Sequence, residues 1–212
     1  MTRVSNPYLE AASKYLNAHK IIDALCKEGR FEESGAFEQE YGGMANYSAR
    51  RKFVGKYAWA IPNEEALSVI AKFAPIVEIG AGSGYWAYLL RERGVDIIAY
   101  DVHPLDSHAK ENRWHTDHKP WTSVLQGAER SVKKHADRSL FLCWPPYSSD
   151  MASKALAAYK DNTVIYVGEG GGGCTADDAF HAELDSDWKQ IEEVNIPHWE
   201  GVHDRLFVWR RL

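Results

Sequence analysis

Apolar positions along this chain change their spacing several times, and each change marks an element. From Asn6-Pro7 onward, Tyr8, Leu9, Ala12, Tyr15, Leu16, His19, Ile22, Leu25 and Cys26 recur every three or four residues, which predicts a helix with one apolar face up to Gly29. Pro7 suits the first helical position. Residues 32–41 predict a short acidic helix, Gly42-Gly43 a break, and residues 46–55, with Arg50, Arg51 and Lys52, a third helix. Asn63 is a good N-cap for a further helix, with Glu64 and Glu65 in the first turn and Pro75 as its stop. Beyond Pro75, short continuous apolar runs alternate with helical stretches. The runs at 76–79, 97–100, 121–125, 139–143 and 163–167 predict buried strands, and 188–196 and 205–210 alternate as two final strands. Helices are predicted over 85–93, between about 129 and 135, over 151–159, and over 176–184 started by Thr175. Strands and helices in alternation predict an α/β protein with a largely parallel sheet.

The turn between the first two strands carries the most chemistry. Gly80, Gly82 and Gly84 follow the strand at alternate positions, so the backbone turns sharply and a ligand meets no β-carbon. Asp101 ends the next strand, at the carboxyl edge where open α/β sheets bind ligands. A dinucleotide fingerprint would need glycine three residues after Gly82, where Tyr85 stands, and the Gly-Lys-Ser/Thr ending of a phosphate loop is absent. The pattern Glu78-x-Gly80-x-Gly82-x-Gly84 followed by Asp101 resembles motifs I and II of the class I S-adenosylmethionine-dependent methyltransferases. Trp144-Pro145-Pro146-Tyr147, directly after the fourth strand, is similar to motif IV of amino-methyltransferases. In that family the motif opens on Asp, Asn or Ser. Trp144 stands there in this chain, and an indole donates a hydrogen bond without accepting one.

The resemblance implies a Rossmann-like, seven-stranded, mostly parallel sheet with the last strand antiparallel, covered by an N-terminal helical cap. Residues 1–56 would be the cap and 57–212 the S-adenosylmethionine-binding core. It implies a cofactor site of Glu78, Gly80, Ala81, Gly82, Gly84, Tyr85, Asp101, Val102, Gly127, Ala128 and Trp144, with Asp101 on the ribose hydroxyls and Gln126 or Glu129 near the adenine. Tyr57, Trp59, Pro145, Pro146, Tyr147 and Glu169 would meet the substrate. Tyr147 would hold a flat acceptor. Glu169, the one ionisable side chain at the end of the fifth strand, would serve as base or amine ligand. His198, Trp199, His203 and Asp204 fall in the last loop, within reach if it lies at the same edge.

Composition narrows the acceptor. Net charge is −5, against a protein built to grip duplex nucleic acid, so a small molecule leads, a flat heterocycle or nucleoside-like compound among them. Three cysteines make no disulfide framework, no apolar run approaches membrane-spanning length, and the first residues lack the pattern of a secretory leader, which together predict a cytoplasmic protein. Residues 103–118 hold four histidines but no ligand spacing, so a solvated connection is expected there and no metal. Methyl transfer to nitrogen or oxygen is the leading activity. Its rivals are non-methyl chemistry on the same cofactor (lyase or cyclase), base methylation in a nucleic acid, and a non-catalytic partner subunit.

Overall fold

A computed structural model of the protein describes residues 4–108, 110–115 and 118–212. Asp117, one of the acids in the histidine-rich stretch, lies outside them. Four helices come first: α1 (Pro7–Leu16), α2 (Ala18–Lys27), α3 (Phe31–Tyr41) and α4 (Gly43–Lys56). The single helix expected over 6–29 is divided at Asn17. Its side-chain amide donates to the Ser13 carbonyl at 2.8 Å, the local competition with helix bonds that Asn is prone to. Asn63 caps α5 (Glu64–Ala71) as expected, its Oδ1 accepting from the Ala66 amide.

The remaining chain alternates β1 (Ile76–Ile79), α6 (Tyr85–Arg91), β2 (Ile97–Asp101), the single turn α7 (Leu105–His108), β3 (Leu125–Gln126), a 3-10 helix (Glu129–Lys134), β4 (Ser139–Cys143), α8 (Met151–Ala158), β5 (Thr163–Gly168), α9 (Asp178–Asp187), β6 (Trp188–Asn195) and β7 (Arg205–Arg211). The seven strands form one sheet in the order β3-β2-β1-β4-β5-β7-β6. All neighbours are parallel except at β7, which runs antiparallel to both β5 and β6. This is the Rossmann-like α/β sheet with a reversed last strand that the sequence implied. From β1 the chain winds outward to β2 and β3, then returns to the other side at β4. The crevice beyond the carboxyl ends of β1 and β4 is therefore the topological switch point, where such sheets take ligands.

Apolar layers cover both faces of the sheet. Leu67 and Ile70 of α5 and Trp86 and Leu90 of α6 pack on one face, and Ala155 and Leu156 of α8 with Phe180 and Leu184 of α9 on the other. β1 and β5 are buried at every position, as central parallel strands are. The N-terminal helices join the first layer through Tyr8, which stacks on Tyr57 at 4.8 Å between ring centres and accepts a hydrogen bond from Trp199 Nε1 at 3.0 Å.

Two expected elements are corrected. The third strand is only two residues long, because Trp121 turns into an aromatic cluster with Tyr57 and Tyr85 and its amide bonds the Ser83 carbonyl. The helix expected over 176–184 starts two residues later, capped by Asp177 rather than Thr175, its carboxylate accepting from the Phe180 amide. Thr175 is instead fully buried, its hydroxyl accepting from the Glu169 amide.

Candidate active site

The turn after β1 is fixed by β2. The amides of Gly80 and Ala81 both donate to the Tyr100 carbonyl, at 2.8 and 2.9 Å, and the Gly82 amide donates to Asp101 Oδ2 at 2.8 Å. Gly82 has φ +56°, and a β-carbon there would stand 2.8 Å from His115 Nε2, so both conformation and space require glycine. Asp101 Oδ1 accepts from the His103 amide at 2.9 Å. Each oxygen of Asp101 thus holds one backbone amide and keeps lone-pair capacity for a further donor. Beside it, the Gly127 amide bonds the Asp101 carbonyl, and a β-carbon on Gly127 would lie 2.7 Å from the Tyr100 ring.

These residues open on a cavity of about 470 Å³ at the switch point. Of the residues predicted for the cofactor, Gly80, Gly82, Asp101, Val102, Gly127, Ala128 and Trp144 line it. Trp59, Pro145 and Pro146 from the predicted substrate set line it too, and Glu129 rather than Gln126 faces it. The structure does not bring the others to this space. Ala81 and Gly84 shape the turn behind the lining, and Gly84 abuts Val124 and Thr122. Tyr57 and Tyr85 are buried in the aromatic core, with Tyr85 Oη donating to Asn6 Oδ1 and accepting from the Tyr8 amide. Glu78 is 1% exposed beneath the turn, one carboxyl oxygen lacking a partner, and burial pushes it up to about 8, so it is largely protonated at neutral pH.

The opposite wall begins where β4 ends. Trp144 has φ +52°, a left-handed conformation that a bulky residue holds only when its surroundings over-determine it. Three contacts do so. Its amide bonds the Val167 carbonyl at 2.8 Å, its indole Nε1 donates to Asp204 Oδ1 at 2.6 Å, and its ring stacks on Trp59 at 4.8 Å. Pro145 and Pro146 then lead away along the cavity. The Pro145 carbonyl takes a bond from the Ala176 amide at 2.8 Å. Tyr147 is 53% exposed and lies outside the cavity lining. The aromatic surface facing the cavity is made by Trp59, Trp114 and Trp144 instead.

Glu169 is not free to take a proton. Its Oε2 accepts from the Cys174 amide and its Oε1 from the His203 amide, each at 2.8 Å, with His203 Nδ1 3.4 Å away. Burial opposes the charge, but these bonds outweigh it and hold the carboxyl at about 2. Glu169 therefore clamps the glycine-rich segment to the last loop and stands apart from the cavity lining. Asp204, 2% exposed, shows the opposite result. Burial raises it to about 7, against the Trp144 hydrogen bond and the positive charge of Arg50. His198 and Trp199 lie in the same loop, away from the lining, and Trp199 is core.

The stretch expected to be a solvated connection is in part a folded wall. Asn112 is buried, its amide donating to the His103 carbonyl and its Oδ1 accepting from the amides of Trp114 and His115. His115 is 4% exposed, and its Nδ1 lies 2.9 Å from the Gly55 carbonyl. A carbonyl only accepts, so Nδ1 carries the hydrogen and Nε2 presents a lone pair beside Gly82. Burial lowers this imidazole's pKa below its ordinary value and keeps it neutral. Sequence reasoning missed His115. The available signal was Asn112, a residue that caps its own backbone two and three positions on, followed by a tryptophan in an otherwise polar stretch. Among the described residues no three His, Cys, Asp or Glu side chains converge as metal ligands.

No protein-family model and no curated protein matches the chain. Among solved structures it is similar to a mutant of MtNAS in complex with S-adenosylmethionine, at 15% identity over 96% of this chain and 74% of that one, with a TM-score of 0.47. It is also similar to the N-methyltransferase NodS from Bradyrhizobium japonicum WM9 in complex with S-adenosyl-L-homocysteine, at 10% identity over 69% and 84%, TM-score 0.46. A Pyrococcus abyssi tRNA (uracil-54, C5)-methyltransferase matches at 13% identity over 70% of this chain and 37% of its own length, TM-score 0.45.

Proposed function

We propose that this protein is an S-adenosylmethionine-dependent methyltransferase that methylates a nitrogen or oxygen of a small, flat acceptor. The observation that carries this reading is the cavity at the switch point, bounded by the Gly80–Gly82 turn and Asp101 on one side and Trp144-Pro145-Pro146 on the other. The donor set fits the cofactor. Asp101 keeps acceptor capacity for a vicinal diol, Gly127 and Ala128 offer flat backbone to a ring, and residues 80–84 carry no basic side chain for a pyrophosphate. When bound, S-adenosylmethionine supplies a sulfonium methyl group, transferred to an acceptor lone pair while the carbon–sulfur pair stays on sulfur and S-adenosylhomocysteine leaves.

The chain contributes position and a proton acceptor. Trp59 and Trp144 give a stacked wall for the acceptor, and the two prolines hold its floor rigid. His115 Nε2, neutral and facing the cavity, is the group suited to take a proton from the acceptor. Glu169 then serves by fixing the segment behind Trp144, and Tyr147 by meeting the acceptor's outer edge. Residues 1–56 act as a cap, with α4 bordering Trp59. A reducing, cytoplasmic setting suits three cysteines that are all free, and no helix among the described residues is long and apolar enough to cross a membrane.

The test is product analysis. The protein is incubated with S-adenosylmethionine and a panel of heterocycles, nucleosides and nucleotides, and the cofactor products are separated. S-adenosylhomocysteine with a methylated acceptor supports the proposal. Methylthioadenosine would replace it with elimination or cyclisation of the cofactor's amino-acid arm.

A further inference from the structure

A second and larger depression adjoins the cavity. It has a volume of about 1090 Å³ and shares Trp59, Arg113, Trp114 and His115 with the first. Its floor is α4, which presents Arg50, Arg51, Lys52 and Lys56 within seven consecutive positions, and Arg113 faces them from the opposite wall. Among the described residues none that lines it is acidic, and none of these five cations forms an ion pair with a carboxylate. In a chain of net charge −5, this is a marked segregation of positive charge. Aromatic rings stand among the cations. The Arg50 guanidinium lies 5.6 Å from the Trp144 ring and 5.9 Å from Trp59, and Arg113 lies 5.1 Å from Trp114. Tyr47 and Trp114 are 67% and 46% exposed at its rim.

Unpaired cations at close spacing are costly by mutual repulsion and suit a ligand with several negative charges. Aromatic faces between them suit a heterocyclic base, which stacks whatever its identity. The groove runs into the methyl-transfer cavity through Trp59 and Trp114, so a molecule with its ring against Trp59 and Trp144 would carry its charged part out over α4. We infer that the acceptor is a nucleotide unit, its base in the cavity and its phosphate on Arg51, Lys52, Lys56 and Arg113. This rests on the methyl-transfer reading and narrows it. The shared chemistry is a phosphorylated nucleoside, either free or within a single strand.

Binding to the full chain is measured by tryptophan fluorescence with adenosine, cytidine, guanosine and uridine, their 5′-monophosphates, and a short single-stranded oligonucleotide of mixed sequence. At least one monophosphate or the strand should bind about tenfold or more tightly than the best nucleoside, the worth of charge-assisted bonds to a phosphate. The combined variant Arg51→Gln, Lys52→Gln, Lys56→Gln should lose that preference. A strand that binds with a steep loss in salt, its log–log slope reduced by about 2 in the variant, identifies a nucleotide within a chain. A monophosphate that binds as tightly as the strand, with a shallow salt dependence, identifies a free nucleotide. The inference is overturned if neither exceeds the nucleosides, or if the variant, with an unaltered melting temperature, keeps the wild-type preference. Calorimetry with S-adenosylmethionine on the same samples reads the other proposal separately. Absent cofactor binding would refute methyl transfer, whereas intact cofactor binding with no phosphate preference would refute only the nucleotide.

Discussion

At the carboxyl ends of β1 and β2 the backbone holds the site, whereas at the ends of β4 and β5 buried side chains do. On the first side the amides of Gly80, Ala81 and Gly82 are tied to Tyr100 and Asp101, and Asp101 is the one side chain those ties use. On the second side Trp144 is kept in a left-handed conformation by Asp204, and Glu169 joins the glycine-rich segment to the last loop. The two acids also part company in charge. Glu169 receives two backbone amides and stays ionised at about 2, whereas Asp204 receives one indole N–H and is raised to about 7. Burial opposes ionisation in both, but it is deeper at Asp204, where the negative charge of Glu169 adds to it, and only Glu169 has donors enough to outweigh it. Each side therefore carries one buried acid raised toward neutral pH, Glu78 beneath the glycine turn at about 8 and Asp204 behind Trp144 at about 7.

The largest break in that contrast is expected at Asp204. An acid whose folded pKa is raised binds its proton more tightly in the native state, so stability is fullest below the unfolded pKa and falls as pH rises toward the folded one. Between the ordinary value of 3.8 and about 7, wild type should lose stability relative to Asp204→Asn. The difference should approach about 4 kcal/mol by pH 7, at about 1.4 kcal/mol per unit. Urea unfolding of both proteins at several pH values reads it, and parallel curves would show that Asp204 is charged throughout.

Glu169 should behave in the opposite sense. Its folded pKa is depressed, so its contribution is present above the ordinary value of 4.5 and is lost as pH falls toward about 2. Glu169→Ala removes two charge-assisted hydrogen bonds and should cost about 3 kcal/mol near neutral pH. Glu169→Gln, which keeps one acceptor oxygen, should cost less. An alanine variant as stable as wild type would mean that the Cys174 and His203 amides find other partners.

His115 should give a smaller effect, read in turnover. Only the neutral imidazole accepts a proton, and burial places its pKa below the ordinary 6.5. Activity should therefore be flat above about pH 6.5 and fall on an acid limb below that point. His115→Gln should lose the limb together with about a hundredfold in kcat, the lower end of what general-base catalysis contributes. An unchanged limb in the variant would assign the titration to another group.

What could be read from sequence follows from how far each residue reaches. Gly80, Gly82 and Asp101 were legible because their requirements are local: a sharp turn needs glycine, and a strand end sets an acid at the edge. The mostly parallel sheet followed from the alternation of apolar runs with helices. Asp204 was legible only as one of four candidates in the last loop, and His115 not at all as a site residue. The Trp144–Asp204 and His115–Gly55 hydrogen bonds each join positions 60 apart in the chain, and no local pattern reports such a pairing. Glu169 was placed at the correct edge. Its role escaped because one of its two donors, the His203 amide, lies 34 residues on and arrives only with the turn before β7. The basic groove was hidden by a net charge that sums over the whole surface.

The central claim is that the Gly82–Asp101 crevice holds S-adenosylmethionine. Isothermal titration calorimetry of the cofactor into wild type and Asp101→Ala, with melting temperatures measured alongside, tests it most directly. Wild type should bind, and a folded Asp101→Ala protein should bind more weakly by about 1.5–3 kcal/mol, roughly ten- to a hundredfold in Kd. A wild type that gives no heat of binding, or a folded variant with wild-type affinity, would contradict the assignment of this crevice.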